Sequence, residues 1–161
     1  MSNELREPRE RVSPRARSMW LVGCLAEGLV TLAILTVAAL AWESLGPRWW
    51  LVGAAGVLVL AYAAIVPRWR YLVHRWEVSE SAVYTQTGWW ARERRIAPMS
   101  RIQTVDYAEG VLSRLFGLAT VTVTTASAAG ALRIEGLDKA LAQQLVDELT
   151  LKADAVEGDA T

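Results

Sequence analysis

One cysteine, Cys24, and one histidine, His74, are all the thiol and imidazole that this 161-residue chain contains. An intramolecular disulfide is therefore excluded, and neither a Cys/His zinc site nor a Cys/His catalytic pair can be assembled from them. No Gly-rich phosphate loop follows a strand pattern, no metal-ligand spacing occurs, and no Ser/His/Asp set forms around a lone histidine set close to a hydrophobic run. No enzymatic activity, cofactor or metal site is expected. A net charge of one sign is also lacking: 17 Lys and Arg stand against 17 Asp and Glu. Net charge thus gives no pointer to nucleic acid, and no nucleic-acid partner is expected. Cys24 lies inside an apolar run and reads as a small packing hydrophobe. His74 reads as a structural residue within a strand.

What the chain does have is two long hydrophobic runs. Met19 to Trp42 contains ten Leu, Ile or Val residues; as a helix it is about 36 Å long, enough to cross a hydrocarbon core of about 30 Å with some tilt. Trp49 to Val66 follows, about 27 Å as a helix, and Pro67 is expected to end it. Only residues 43–48 separate the two, a turn that makes the helices antiparallel neighbours. Trp20, Trp42, Trp49, Trp50 and Trp69 fall at the span ends, where the amphipathic indole prefers the headgroup level.

Arg6, Arg9, Arg11, Arg15 and Arg17 precede the first span and Arg68, Arg70 and Arg75 follow the second, against Arg48 alone in the turn. Basic residues are retained on the cytoplasmic side, so a multi-pass plasma-membrane protein with both termini cytoplasmic is expected. A cleaved leader ending near Ala39-Leu40-Ala41 is the rival reading, but its apolar region exceeds the usual 7 to 15 residues or so. Glu27 is the one ionisable group inside a span, and such acids are candidates for function. No second charge stands in either span to build a relay with it. Cys24, Gly28 and Thr31 put small residues on nearly the same face as Glu27, so these four form a candidate intramembrane helix contact.

After Pro67 the pattern changes to short alternating segments, the mark of antiparallel strands buried on one face. Leu72 to Ser79 is the first, followed by a turn at Ser79-Glu80-Ser81. Ala82 to Thr87 ends at Gly88, and Trp90 to Ile96 places Arg92 and Arg94 on one face and Glu93 and Arg95 on the other. Met99 to Tyr107 begins after Pro98, which suits the start of a strand. Ala119 to Thr125 turns Val121 and Val123 one way and its threonines the other, and a short strand contains Leu132 and Ile134. Asp138 can cap a final helix with an apolar face of Leu141, Ala142, Leu145, Val146 and Leu149. Between the fourth and fifth strands, Ser113 to Phe116 reads as one helical turn tucking Leu112, Leu115 and Phe116 against the sheet, with Gly117 turning the backbone.

Two segments, Ile96-Ala97-Pro98-Met99-Ser100-Arg101-Ile102-Gln103-Thr104-Val105 and Gly110-Val111-Leu112-Ser113-Arg114-Leu115-Phe116-Gly117-Leu118-Ala119-Thr120-Val121, resemble the bacterial pleckstrin-homology (PH-like) domain of YdbS-like membrane proteins, which also place two spans before the domain. The likeness covers about Met19 to Leu151. It implies an α+β membrane protein: a two-helix transmembrane hairpin, then a PH-like β-barrel or curved antiparallel sheet with a C-terminal helix closing one end. The expected organisation is a basic cytoplasmic tail over 1–18, the hairpin over 19–66 (spans 19–42 and 49–66), the PH-like domain over 71–151, and an acidic disordered tail over 152–161.

The lipid site of PH domains at large needs basic residues around the first strand loop, where this chain has Ser79-Glu80-Ser81. The alternative membrane-facing set is Arg92, Arg94, Arg95 and Arg101 with Trp89 and Trp90; each juxtamembrane cation near an anionic leaflet is worth about 1 kcal/mol. The functional expectation is a membrane-anchored interaction or scaffold module working in a membrane protein assembly. Its partners would be the lipid bilayer together with a second copy or another membrane protein. The resemblance implies a longer PH-like relative, since such proteins are often encoded beside one. Anionic-headgroup sensing at the inner leaflet is the first alternative, and a small transporter or channel accessory subunit, with Glu27 in its favour, the second.

Overall fold

A computed structural model describes residues 7–41, 49–88, 90–126 and 130–158. The chain opens with a two-residue strand, β1 (Glu10–Arg11), followed by α1 (Pro14–Ala41) and α2 (Trp49–Val73). Ser13 and Pro14 start α1. The Ser13 hydroxyl accepts the Arg15 N–H at 3.4 Å, and Pro14 occupies the first helical position, where its missing N–H would have had no partner. Helix α1 therefore begins five residues before the expected span at Met19. Both helices are long and apolar enough to cross a membrane. The connecting residues 42–48, including Trp42, lie outside the described residues.

Pro67 does not end the second helix, which runs unbroken to Val73 with the proline ring fully buried. Apolar helices of this kind tolerate an internal proline because neighbouring packing compensates for the lost hydrogen bond. The first domain strand consequently starts at Arg75, not Leu72, and His74 stands at the helix–strand junction instead of within a strand.

The strands form two antiparallel sheets. One has the order β1-β2-β3-β4, with β2 (Arg75–Val78), β3 (Ala82–Thr87) and β4 (Glu93–Pro98). The other has the order β5-β6-β7, with β5 (Ile102–Ala108), β6 (Leu118–Thr125) and β7 (Leu132–Asp138). Strand β4 starts at Glu93, so Trp90 and Arg92 precede it. Pro98 closes β4 and leads into a 3₁₀ turn, Met99–Arg101, where a strand start was expected. Helix α3 (Val111–Leu115) precedes β6, and Gly117, at φ +67°, makes the turn between them that a side chain would resist.

Helix α4 (Lys139–Gly158) packs on β5, β6 and the 3₁₀ turn, and it continues through the acidic segment beyond Leu151. Ala142, Leu145 and Leu149 are buried, while Leu141 is exposed. The core between the sheets holds Val83, Leu118, Val121, Val123 and Leu137, all without exposure. Burying side chains of this size stabilises by about 2 kcal/mol each relative to the exposed state. Of the helical turn, only Phe116 packs on this core; Leu112 and Leu115 are exposed.

The N-terminal segment is a working part of the domain. Glu10 pairs with Trp76 and Arg11 with Arg75, and the Ser13 N–H donates to the Gly136 carbonyl of β7 at 2.8 Å. It thereby bridges the two sheets. Val12 and Ala16 are buried in the same core as β6 and β7, and the Ser13 hydroxyl donates to Asp138 at 3.0 Å. Gly136, at φ +78°, lets Ala16 approach so closely that a Cβ there would sit 2.6 Å from the Ala16 Cβ.

Candidate functional site

Charged, aromatic and titratable side chains converge where the hairpin enters the domain. Arg70, on the last turn of α2, reaches Glu135 of β7 at 2.7 Å, and its guanidinium stacks 4.4 Å from the centroid of the Trp20 ring on α1. Trp20 in turn meets His74, ring centroids 5.1 Å apart and tilted by 57°. Both partners of the ion pair are about one-third exposed, so it lies between a surface pair and a buried one in strength. The cation–π contact adds about 1 kcal/mol. One arginine thus ties both helices to the second sheet.

His74 is 6% exposed. Burial first, and the Arg70 cation second, push its pKa down from the usual 6.5 to about 4, against the opposing pull of Glu135 and the Arg70 carbonyl. Its Nδ1 lies 3.1 Å from that carbonyl, which only accepts, so the neutral ring carries its proton on Nδ1. Beneath it, the buried Gln86 donates to the Val73 carbonyl at the end of α2 and accepts from Arg94 Nε at 2.9 Å. The helix terminus is so linked through β3 to β4.

Beside this joint opens a cleft of about 940 Å³ walled by α1, α2, β3, β4, β7 and α3. Glu27, Cys24 and Tyr62 line its hairpin side; Thr85, Thr87, Arg95 and Arg133 line its domain side. Intramembrane acids face cavities or bundle interiors as a rule, and Glu27 follows it. Gly28 does not line the cleft. It packs on α2, where a Cβ would collide with Val59 Cγ1. The helix that comes close at Gly28 is the chain's own. Thr31 donates its hydroxyl to the Glu27 carbonyl within α1.

The four candidate arginines do not form one patch. Arg92 and Arg94 gather around Glu7 with Arg75, at 3.6, 3.5 and 3.8 Å respectively. Arg95 points to the other face, bonded to Glu93 at 2.6 Å and to the Ala131 carbonyl at 3.2 Å. Arg101 closes the 3₁₀ turn and lines a smaller cavity of about 210 Å³. Trp90 is 88% exposed, and Trp89 lies outside the described residues. Among the described residues, no group of three or more His, Cys, Asp or Glu side chains converges.

Sequence reasoning passed over Glu7, Trp20, Arg70 and Glu135 as site residues. Arg70 and Trp20 were legible only as markers of a membrane boundary, and Glu7 and Glu135 carry no local pattern. The Ser13-Pro14 helix start was readable.

The family model for the Bacterial PH domain matches residues 24–153. The chain is 30% identical to the UPF0699 transmembrane protein YdbS of Bacillus subtilis (strain 168), over 95% of this chain and 98% of that relative. No solved structure matches it.

Proposed function

Since the chain belongs to the Bacterial PH domain family and is a membrane protein, we propose that it is a membrane-anchored interaction module whose PH-like domain joins a second polypeptide in a membrane assembly. Both termini lie on the cytoplasmic side in this reading. Supporting it are the basic flanks and the pairing of β1 with β2: residues 10–16 share one core with the domain beyond α2, so the chain must leave and re-enter the same compartment.

The observation that carries the proposal is the outer edge of β5. Among the described strands, β5 pairs only with β6, leaving a row of backbone N–H and C=O groups for another strand to join. The comparable edge of β4 is guarded by Arg94 and Arg95 and by Pro98 at its end. Strand β5, on which α4 packs, carries one acid, Asp106, and a register shift between Ile102 and Thr104. An extended segment of a second copy, or of a longer relative carrying the same domain, would add there. Headgroup sensing draws less support, because Arg92, Arg94 and Arg95 already hold carboxylates within the molecule.

Cross-linking in native membranes followed by mass measurement in mild detergent tests this. The expected product contains this chain joined to a second polypeptide, and is lost in a Gln103→Lys, Thr104→Lys variant whose thermal unfolding is unchanged. A chain that remains monomeric under both treatments sinks the proposal.

A further inference from the structure

Val111 and Leu115 are 82% and 76% exposed, although each belongs to a turn wedged against the membrane-entering part of α1. We propose that α3 is a second membrane contact, a lip of the domain whose apolar side chains sit in the interfacial layer of the same leaflet the hairpin enters.

Depth is the first argument. Counting the roughly 20 residues a helix needs to cross the hydrocarbon, from Trp49 along α2, reaches Arg68. The close approach of Gly28 to Val59 sets the register of the antiparallel pair, and equal steps from it along each helix put Trp20 level with Pro67. The hydrocarbon edge therefore passes near Trp20. Helix α3 is attached there: the Ser113 hydroxyl lies 3.5 Å from Met19 Sδ, and Leu112 meets the space above Gly23, a little deeper in.

Composition is the second. Val111, Leu112 and Leu115 are apolar, while Arg114, its side chain 74% exposed, supplies a basic residue on the same turn. That is the arrangement of an interfacial helix, reduced to one turn. Third, the mount is rigid. Glu109, just before the turn, is held by Lys139 at 2.7 Å, by the Tyr107 hydroxyl at 2.6 Å and by Arg114 at 3.7 Å. Leu21, Val22 and Leu25 of α1, at the same depth, are exposed as well. Bilayer is thus the occupant that explains why residues expected to tuck beneath the sheet face outward.

The test uses the full chain alone in phospholipid vesicles, with Cys24→Ala as background and a fluorophore on Leu115→Cys, Val111→Cys or Glu80→Cys. Glu80 lies in the turn at the far end of β2. Labels at 115 and 111 are expected to be quenched by nitroxides placed shallowly on the lipid chains and to be several-fold less sensitive than the label at 80 to aqueous iodide. Labels at 115 and 111 that behave like the one at 80 overturn the proposal. So does protection from both quenchers, which would mean a protein covers the turn. Because the labels sit on α3 and not on the β5 edge, failure here leaves the assembly reading untouched.

Discussion

The two ends of α1 are built from similar apolar residues and meet different surroundings. At its base, Ala16, Met19 and Trp20 are sealed by β7 and the junction; farther along, Leu29 and Ile34 are 69% and 64% exposed on the protein surface. Protein covers one end and lipid the other. The helix is therefore a shared element: its lower turns belong to the core of the PH-like domain and its upper turns to the bilayer. Lower turns are specified by shape, as at Gly136, while upper turns need only be apolar, since lipid conforms to them.

The largest expected effect strikes the shape-specified end. Gly136→Val places a β-branched side chain at φ +78° and drives it into Ala16, so it should cost more than about 3 kcal/mol and release the N-terminal segment, read as a drop in thermal stability and new protease cleavage near Val12. Intact protein with unchanged melting would break the distinction between the two ends.

Next comes acid. His74 is neutral in the folded protein down to about pH 4, whereas the unfolded chain takes up its proton near pH 6.5. Between these values the unfolded state binds more protons, so the stabilisation is whole above pH 6.5 and falls as pH drops toward 4, by up to about 3 kcal/mol. Denaturation of wild type and His74→Phe across this range should show the variant lacking the His74 part of the slope.

Smallest are changes where lipid or water can substitute. Ile34→Ala, on the lipid-covered length, is expected to shift stability by less than about 1 kcal/mol, against about 2 to 5 kcal/mol for Leu145→Ala in the domain core. A cost for Ile34→Ala as large as that for Leu145→Ala would reveal a protein partner on that face. Arg92→Ala removes an exposed ion pair 3.6 Å long and should likewise cost no more than about 1 kcal/mol in the same thermal measurement.

The same division governs how much of the molecule could be read from its residues. Strand β3 was legible to its last residue because Gly88, at φ +115°, ends it, and the turn before it is locked by the Ser79 hydroxyl bonding Ala82. Val121 and Val123 reported a buried face through simple alternation. What stayed hidden was long-range: Glu10 finds Trp76 across most of the first half of the chain, and the arginines at Arg70 and Arg94 chose Glu135 and Glu7, partners no spacing announces. Pro67 misled because a rule learned in water was applied to a helix sheltered from it. Leu115 misled for the converse reason, since an apolar residue beside a bilayer need not seek the protein core.

The bridge from Ser13 to Gly136 has a consequence for biosynthesis. Residues near the start of the chain leave the ribosome first, yet they cannot reach their hydrogen-bond acceptor until β7 has been made, after both hydrophobic helices have entered the membrane. Glu10 and Arg11 can pair with β2 once Trp76 has emerged, but Ser13 must wait through the synthesis of nearly the whole protein. The seam between the sheets is then among the last contacts to form, and a chain stalled before Gly136 would present the apolar side of Val12 to the quality-control proteases of the membrane surface.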